Sequence, residues 1–177
     1  MGETLSAAVK AIAGGPSRTT PRGGSTSVTS GFTESMRTLN ETGVADSFPP
    51  TSSAYVMGRG YGAELIQEND ATVGNTDVMS FLAGVTDDQI WFRHVGNDLE
   101  VSIIGTNDKA LVQNWYLGSQ YHVEQFKTFD GHTLLDSKVQ DLVSAMASFT
   151  PPAIGQTTLP GSYQTALLPV IVADWGP

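Results

Sequence analysis

A chain of 177 residues, 40% hydrophobic and 15% charged, is long enough to bury the core of one domain. Its net charge of −9 is carried mainly by residues 51–141, where thirteen acids face five bases; this excludes nucleic acid as a partner and favours a divalent cation. Cysteine is absent, which excludes disulfides and thiolate metal sites, and no apolar run is long enough for a transmembrane helix.

In chain order, Leu5, Val9 and Ile12 share one helical face before Gly14-Gly15-Pro16, which predicts a short helix over residues 1–13. Glu3 and Lys10 interrupt its apolar residues, so it does not read as a secretory signal peptide. From Ser17 to Ser53 the chain is mostly Ser, Thr, Gly and Pro with scattered Phe32, Met36, Leu39 and Phe48. That is too little apolar surface to offset the entropy of ordering it, and residues 1–54 read as a low-complexity, disordered segment.

Residues 55–81 hold the stretch around which the rest is organised. Tyr55-Val56-Met57 predicts a strand, Gly58-Arg59-Gly60-Tyr61-Gly62 a tight turn, Leu65-Ile66 a second strand and Thr76 to Phe81 a third. The alternating glycines are not a dinucleotide fingerprint, because Gln67 to Asp70 with Gly74 behind them do not continue a helix. An EF-hand loop fails too: with Gly74 at its sixth position, Ala71 and Val73 stand where oxygen ligands belong. Carboxylates, Asn side chains and turn carbonyls without Cys or clustered His offer oxygen ligation of a hard cation.

Residues 82–149 predict an antiparallel meander with a covering helix. After a turn at Gly84 to Asp88, where Thr86 can cap a helical turn, Ile90 to Val95 and Asp98 to Ile104 flank Gly96-Asn97, a two-residue hairpin signal. That register pairs Phe92 with Val101 and Ile90 with Ile103 on a buried face, and Arg93 with Glu100 on the other. The meander continues through Gly105 to Asp108 into Ala110 to Tyr116, with Trp115 closing one end of the core. Phe126 falls out of phase, which predicts a bulge near Glu124 or Gln125 before the Asp130-Gly131 turn. Ser137 to Gln140 has capping-box spacing, and Val139, Leu142, Val143, Met146 and Phe149 recur at helical intervals until Pro151-Pro152.

Residues 150–177 carry one charge, Asp174. Prolines 151, 152, 160 and 169 forbid a spanning helix. Tyr163, Leu167, Val170 and Ile171 could form an amphipathic end, although Pro169 inside it would cost about 3 kcal/mol unless the helix restarts there.

The order of these pieces resembles the C-terminal region of repeats-in-toxin (RTX) proteins, the haemolysin-type calcium-binding family, and in particular its haemolysin-type calcium-binding-related domain. The residues that carry the likeness are Gly58 to Gly62 with Glu64 and Ile66, Gly74 to Asp77, Gly96 to Leu99 with Val101 and Ile103, and Gly105-Thr106. They continue through Asn114 to Tyr116, Tyr121 with Val123 to Gln125, and Asp130-Gly131; the tail from Pro151 to Trp175 resembles the ends of family members. The resemblance implies a mainly β fold: a remnant β-roll turn, an antiparallel meander, a covering α-helix and a hydrophobic C-terminal tail. It also implies a non-enzymatic module of a secreted haemolysin- or bacteriocin-like toxin, folding on calcium and exported by a type I secretion apparatus through an uncleaved signal at 150–177. Because the likeness stops at about Ala54, the chain is expected to be a truncated or recombined fragment. Laid on the family's calcium repeat, Gly60, Gly62 and Glu64 match its ligand positions, with Arg59 in place of a glycine and Glu64 in place of Asp. Asn75, Asp77 and Asp70 are the additional oxygen donors.

His94, His122 and His132 are not at metal spacing, the Asp87-Asp88 carboxylates should diverge on their turn, and no serine has a nucleophile's setting, so no enzyme is expected. The alternative is an extracellular module whose Trp91, Trp115 and Tyr116 bind a protein or carbohydrate, which requires those rings to be exposed.

Overall fold

The computed structural model describes residues 52–177 together with Val9–Ala11 and Arg37–Asn40. The chain is mainly β and folds as two sheets with two helices. Its early strands alternate between the sheets. β1 (Val9–Ala11), β3 (Ala54–Met57), β5 (Val78–Phe81) and β9 (Gln125–Lys127) run parallel in the first sheet. β2 (Arg37–Asn40), β4 (Ala63–Gln67) and β8 (Lys109–Val112) run parallel in the second. The chain thus winds as a flattened coil, one strand per sheet in each circuit. Both ladders end in antiparallel strands: β10 (Thr133–Leu135) and β11 (Trp175–Gly176) extend the first sheet, and β7 (Asp98–Ile103) and β6 (Ile90–Val95) extend the second.

The hairpin forms as its sequence dictates. Gly96 takes φ +65° at the turn, Phe92 faces Val101, Ile90 faces Ile103, and Arg93 meets Glu100 at 2.7 Å. Its apolar face fills the space between the sheets, where the Phe92 ring stands edge-on to Phe126 of β9, with centroids 5.5 Å apart. The other face is not all solvated, as a one-sided sheet would require. Trp91 on that face is buried against Tyr163, with centroids 6.3 Å apart.

Four expectations change. Val9–Ala11, read as helix, is a strand beside β3; the rest of 1–13 lies outside the described residues, as does most of 17–51. The meander stops at β8, and Phe126 is out of phase because the chain crosses to the other sheet through two 3-10 turns at Trp115–Leu117 and Ser119–Tyr121, not because of a bulge. Helix α1 (Asp136–Met146) begins one residue before Ser137, so the expected capping box does not form; instead the Asp136 carboxylate accepts the Ser137 N–H at 2.6 Å. Helix α2 (Gly161–Asp174) runs straight through Pro169. Leu167 and Ile171 are buried on either side of the proline, each contributing about 1.5–3 kcal/mol, and together they outweigh the missing hydrogen bond.

The tail is part of the packed structure. Lys138 of α1 meets Asp174 at the end of α2 at 3.2 Å, and Trp175 of β11 pairs with Leu134. Before α2, the chain crosses the loop at Gly105, whose carbonyl accepts the Gly155 N–H at 2.8 Å. A Cβ on Gly105 would lie 2.7 Å from the Gln156 backbone, and φ here is +75°. Gly105→Ala is therefore expected to lower stability in chemical denaturation by about 2–4 kcal/mol, from backbone strain and overpacking together.

Candidate functional site

Successive coils are joined by one repeated contact. The residues just before β3, β5 and β9 are Ser53, Asp77 and Glu124, and the parallel registers Ala54↔Val78 and Val78↔Gln125 place them at equivalent positions. The Ser53 N–H donates to the Asp77 carboxylate at 2.6 Å, and the Asp77 N–H donates to the Glu124 carboxylate at 2.6 Å. In the second sheet Gly62 precedes β4 and Asp108 precedes β8, again in register. Asp108 accepts two amides, Gly62 N–H at 2.8 Å and Gly60 N–H at 2.9 Å, one on each oxygen. Positive φ angles of +86° at Gly60 and +81° at Gly62 turn these amides onto one carboxylate, a concavity that binds anions. Arg59 lies in the same turn and donates to the carbonyls of Ile104 at 3.2 Å and Gly84 at 3.4 Å, and to the Gln89 amide oxygen at 3.1 Å.

The Asp77 contact sits in a wider polar cluster. The Asn75 amide donates to Asp70 at 2.8 Å and to Asp77 at 3.2 Å, while its oxygen accepts the Ser52 hydroxyl at 2.9 Å. Asp70 also caps its own loop by accepting the Thr72 N–H at 2.8 Å. Burial, followed by the negative charges of Glu124 and Asp70, pushes the Asp77 carboxyl up to about 6, against the lowering effect of the Ser53 and Asn75 donors.

Of the six residues proposed as calcium ligands, Asp70, Asn75 and Asp77 meet, and the other three lie elsewhere. Gly60 and Gly62 lie in the loop from β3 to β4, Asp70, Asn75 and Asp77 in the loop from β4 to β5 at the opposite edge, and Glu64 is buried within β4. Calcium requires six to eight oxygens at about 2.3–2.6 Å. The glycine turn presents amide hydrogens and a guanidinium instead. At the other edge, the Asp77 and Glu124 carboxylates are already directed at backbone amides. Among the described residues no three acidic or histidine side chains are placed to share a metal ion. As placed, the six candidates do not form a single calcium site. Asp108 and Glu124 were not singled out in the sequence; the signal that marks them is an acid immediately before a strand, at the register of an earlier turn.

The remaining polar candidates have separate partners. His132 pairs with Asp87 at 2.9 Å, while Asp88 accepts the Thr86 hydroxyl at 2.6 Å, so the adjacent carboxylates diverge. His122 bridges Asp136 and the Trp115 carbonyl, both at 3.0 Å, and its ring stacks on Trp115 at 3.9 Å. His94 stacks on Tyr116 at 3.6 Å and reaches the Gly96 carbonyl at 2.7 Å. Trp91 and Trp115 are buried and Tyr116 is half-buried, so the aromatic surface needed by the binding-module reading is not presented.

Residues 98–137, the span from β7 to the start of α1, match the family model of the haemolysin-type calcium binding protein related domain. The expected resemblance is found there. Among individual proteins the chain is similar to the iron-regulated protein FrpA of Neisseria meningitidis serogroup C, 26% identical over 92 residues. The match takes in 50% of this chain but spans only 8% of FrpA's length.

Proposed function

We propose that the chain is a non-enzymatic module of a secreted RTX-type protein, haemolysin- or bacteriocin-like, which closes a calcium-binding repeat coil and carries the signal for type I export. The observation that supports it is the way both parallel ladders end. Strands β1 to β5, β8 and β9 alternate between the sheets as in a β-roll, and antiparallel strands then end both ladders, with α1 packed against β6 and β10. Such an end stops further coils from adding on that side. In this reading calcium acts on the folding of the repeats that the module closes, and residues 150–177 are read by the secretion apparatus before they fold. Low charge in that tail suits passage through a narrow conduit. Among the described residues no helix is long and apolar enough to cross a membrane.

The test is export from cells carrying a type I apparatus, read as chain in the medium. Full-length chain and Phe92→Ala, which disrupts the core but keeps the tail, should both be exported; a chain lacking residues 150–177 should stay inside. Undiminished export of the truncated chain would overturn the reading. Retention of Phe92→Ala alone would show that export follows folding and not the tail.

A further inference from the structure

The family to which residues 98–137 are similar is named for calcium, yet the contacts between coils in this chain are made by other means. Three times, on both sheets, an acid just before a strand accepts the amide at the matching place one circuit earlier: Asp77 from Ser53, Glu124 from Asp77, and Asp108 from Gly62. Three uses of one geometry make this a construction rule of the fold. A charge-assisted hydrogen bond is roughly twice as strong as a neutral one, and Asp108 makes two, from a position only 5% exposed. An ion placed between the same coils would have to displace these amides, whose positive ends point at the oxygens it needs. At the glycine turn it would also meet Arg59, the residue standing where the repeat has glycine.

We infer that carboxylate-to-amide bonds from the residues before β5, β8 and β9 fasten successive coils in place of calcium, so that residues 52–177 fold with the ion absent. A calcium ion that joins two coils has to be supplied from solution. A carboxylate supplied by the next coil needs nothing from solution, so this part of the chain is ready to fold wherever it is released from constraint. The inference stands apart from the export reading and fails separately from it.

The experiment is thermal unfolding of the full 177-residue chain, followed by circular dichroism, in EGTA and in millimolar calcium chloride, with calorimetric titration of calcium alongside. The wild-type chain should melt cooperatively in EGTA, shift by no more than about 1 °C on adding calcium, and give no binding heat. In EGTA, Asp108→Ala should lower the midpoint by about 5–10 °C, with Asp108→Asn, which keeps one acceptor oxygen, falling between. A wild-type chain that unfolds in EGTA and regains β structure with calcium would overturn the inference. So would a calcium-induced rise in midpoint that Asp108→Asn abolishes, since Asp108 would then be a ligand. An Asp108→Ala chain that melts like wild type in EGTA would overturn it as well. Should Asp108→Ala fail to fold, the wild-type comparison and Asp108→Asn still decide.

Discussion

Deleting residues 161–177 is expected to abolish cooperative unfolding. The deletion removes α2 and β11, and with them Leu167, Ile171 and Trp175 from the core. It also takes Tyr163 off Trp91, Trp175 off Phe92, where the rings lie 6.5 Å apart, and the outer partner off β10. Each large side chain contributes about 1.5–3 kcal/mol by its burial, and the exposure of Trp91 adds another loss of that size. Their sum is comparable with the whole stability of an ordinary domain, about 5–15 kcal/mol. Calorimetry should show no sharp transition, and a dye that binds apolar surface should fluoresce. The milder Trp175→Ala should keep the fold and cost about 3–5 kcal/mol in denaturant. A deleted chain that melts sharply within a few degrees of the parent would show that the tail only rests on the surface.

Asp77→Asn is expected to change how stability follows pH. The Asp77 carboxyl titrates near 6 when folded and near 3.8 when unfolded, so between those values the folded chain holds the proton more tightly. Asp77's contribution to stability therefore falls as pH rises from about 4 to 6 and levels above that, its charged form costing roughly 3 kcal/mol at neutral pH. Asparagine keeps an oxygen for the Ser53 N–H without the charge that faces Glu124 and Asp70. Relative to the parent, the variant should gain stability as pH rises from about 4 to 7.5, on top of a constant offset from its weaker, uncharged bond to Ser53. Comparing the two chains isolates Asp77 from His132, whose pairing with Asp87 raises its pKa and adds stability that disappears as pH rises. A gap independent of pH would show that Asp77 is not strained by its charge. A variant less stable throughout would show that its charged bonds outweigh its burial.

The hairpin, strands β3 to β5 and the body of α1 are legible in the sequence because their signals are local. Alternation, a Gly-Asn turn and helical spacing depend only on near neighbours. The parallel partners are not. β5 lies against β9 with the hairpin and β8 between them in sequence, and nothing in Met79 announces Phe126 as its neighbour. Phe126 carried the one visible trace, its break in phase, which a bulge and a crossover to the other sheet explain equally well in one dimension. The acids were legible as important but not in their role. A carboxylate that accepts an amide and one that ligates an ion are the same residue in a turn, and only the direction of the Gly60, Gly62 and Ser53 N–H groups distinguishes them. The burial of Trp91 is not legible locally, because the element that covers it, α2, carries a proline that argues against a continuous helix.

The winding of the two ladders also sets a pace. Val78 must find Gln125, and Ala63 must find Lys109, before either parallel pairing gains a hydrogen bond, and the whole hairpin lies between each pair of partners in sequence. Closing such loops costs entropy before any contact offsets it, and chains dominated by distant pairings fold in milliseconds to seconds while local ones take microseconds. A newly made chain of this kind is thus expected to remain without its parallel pairings for milliseconds to seconds, while its local hairpin can already have closed.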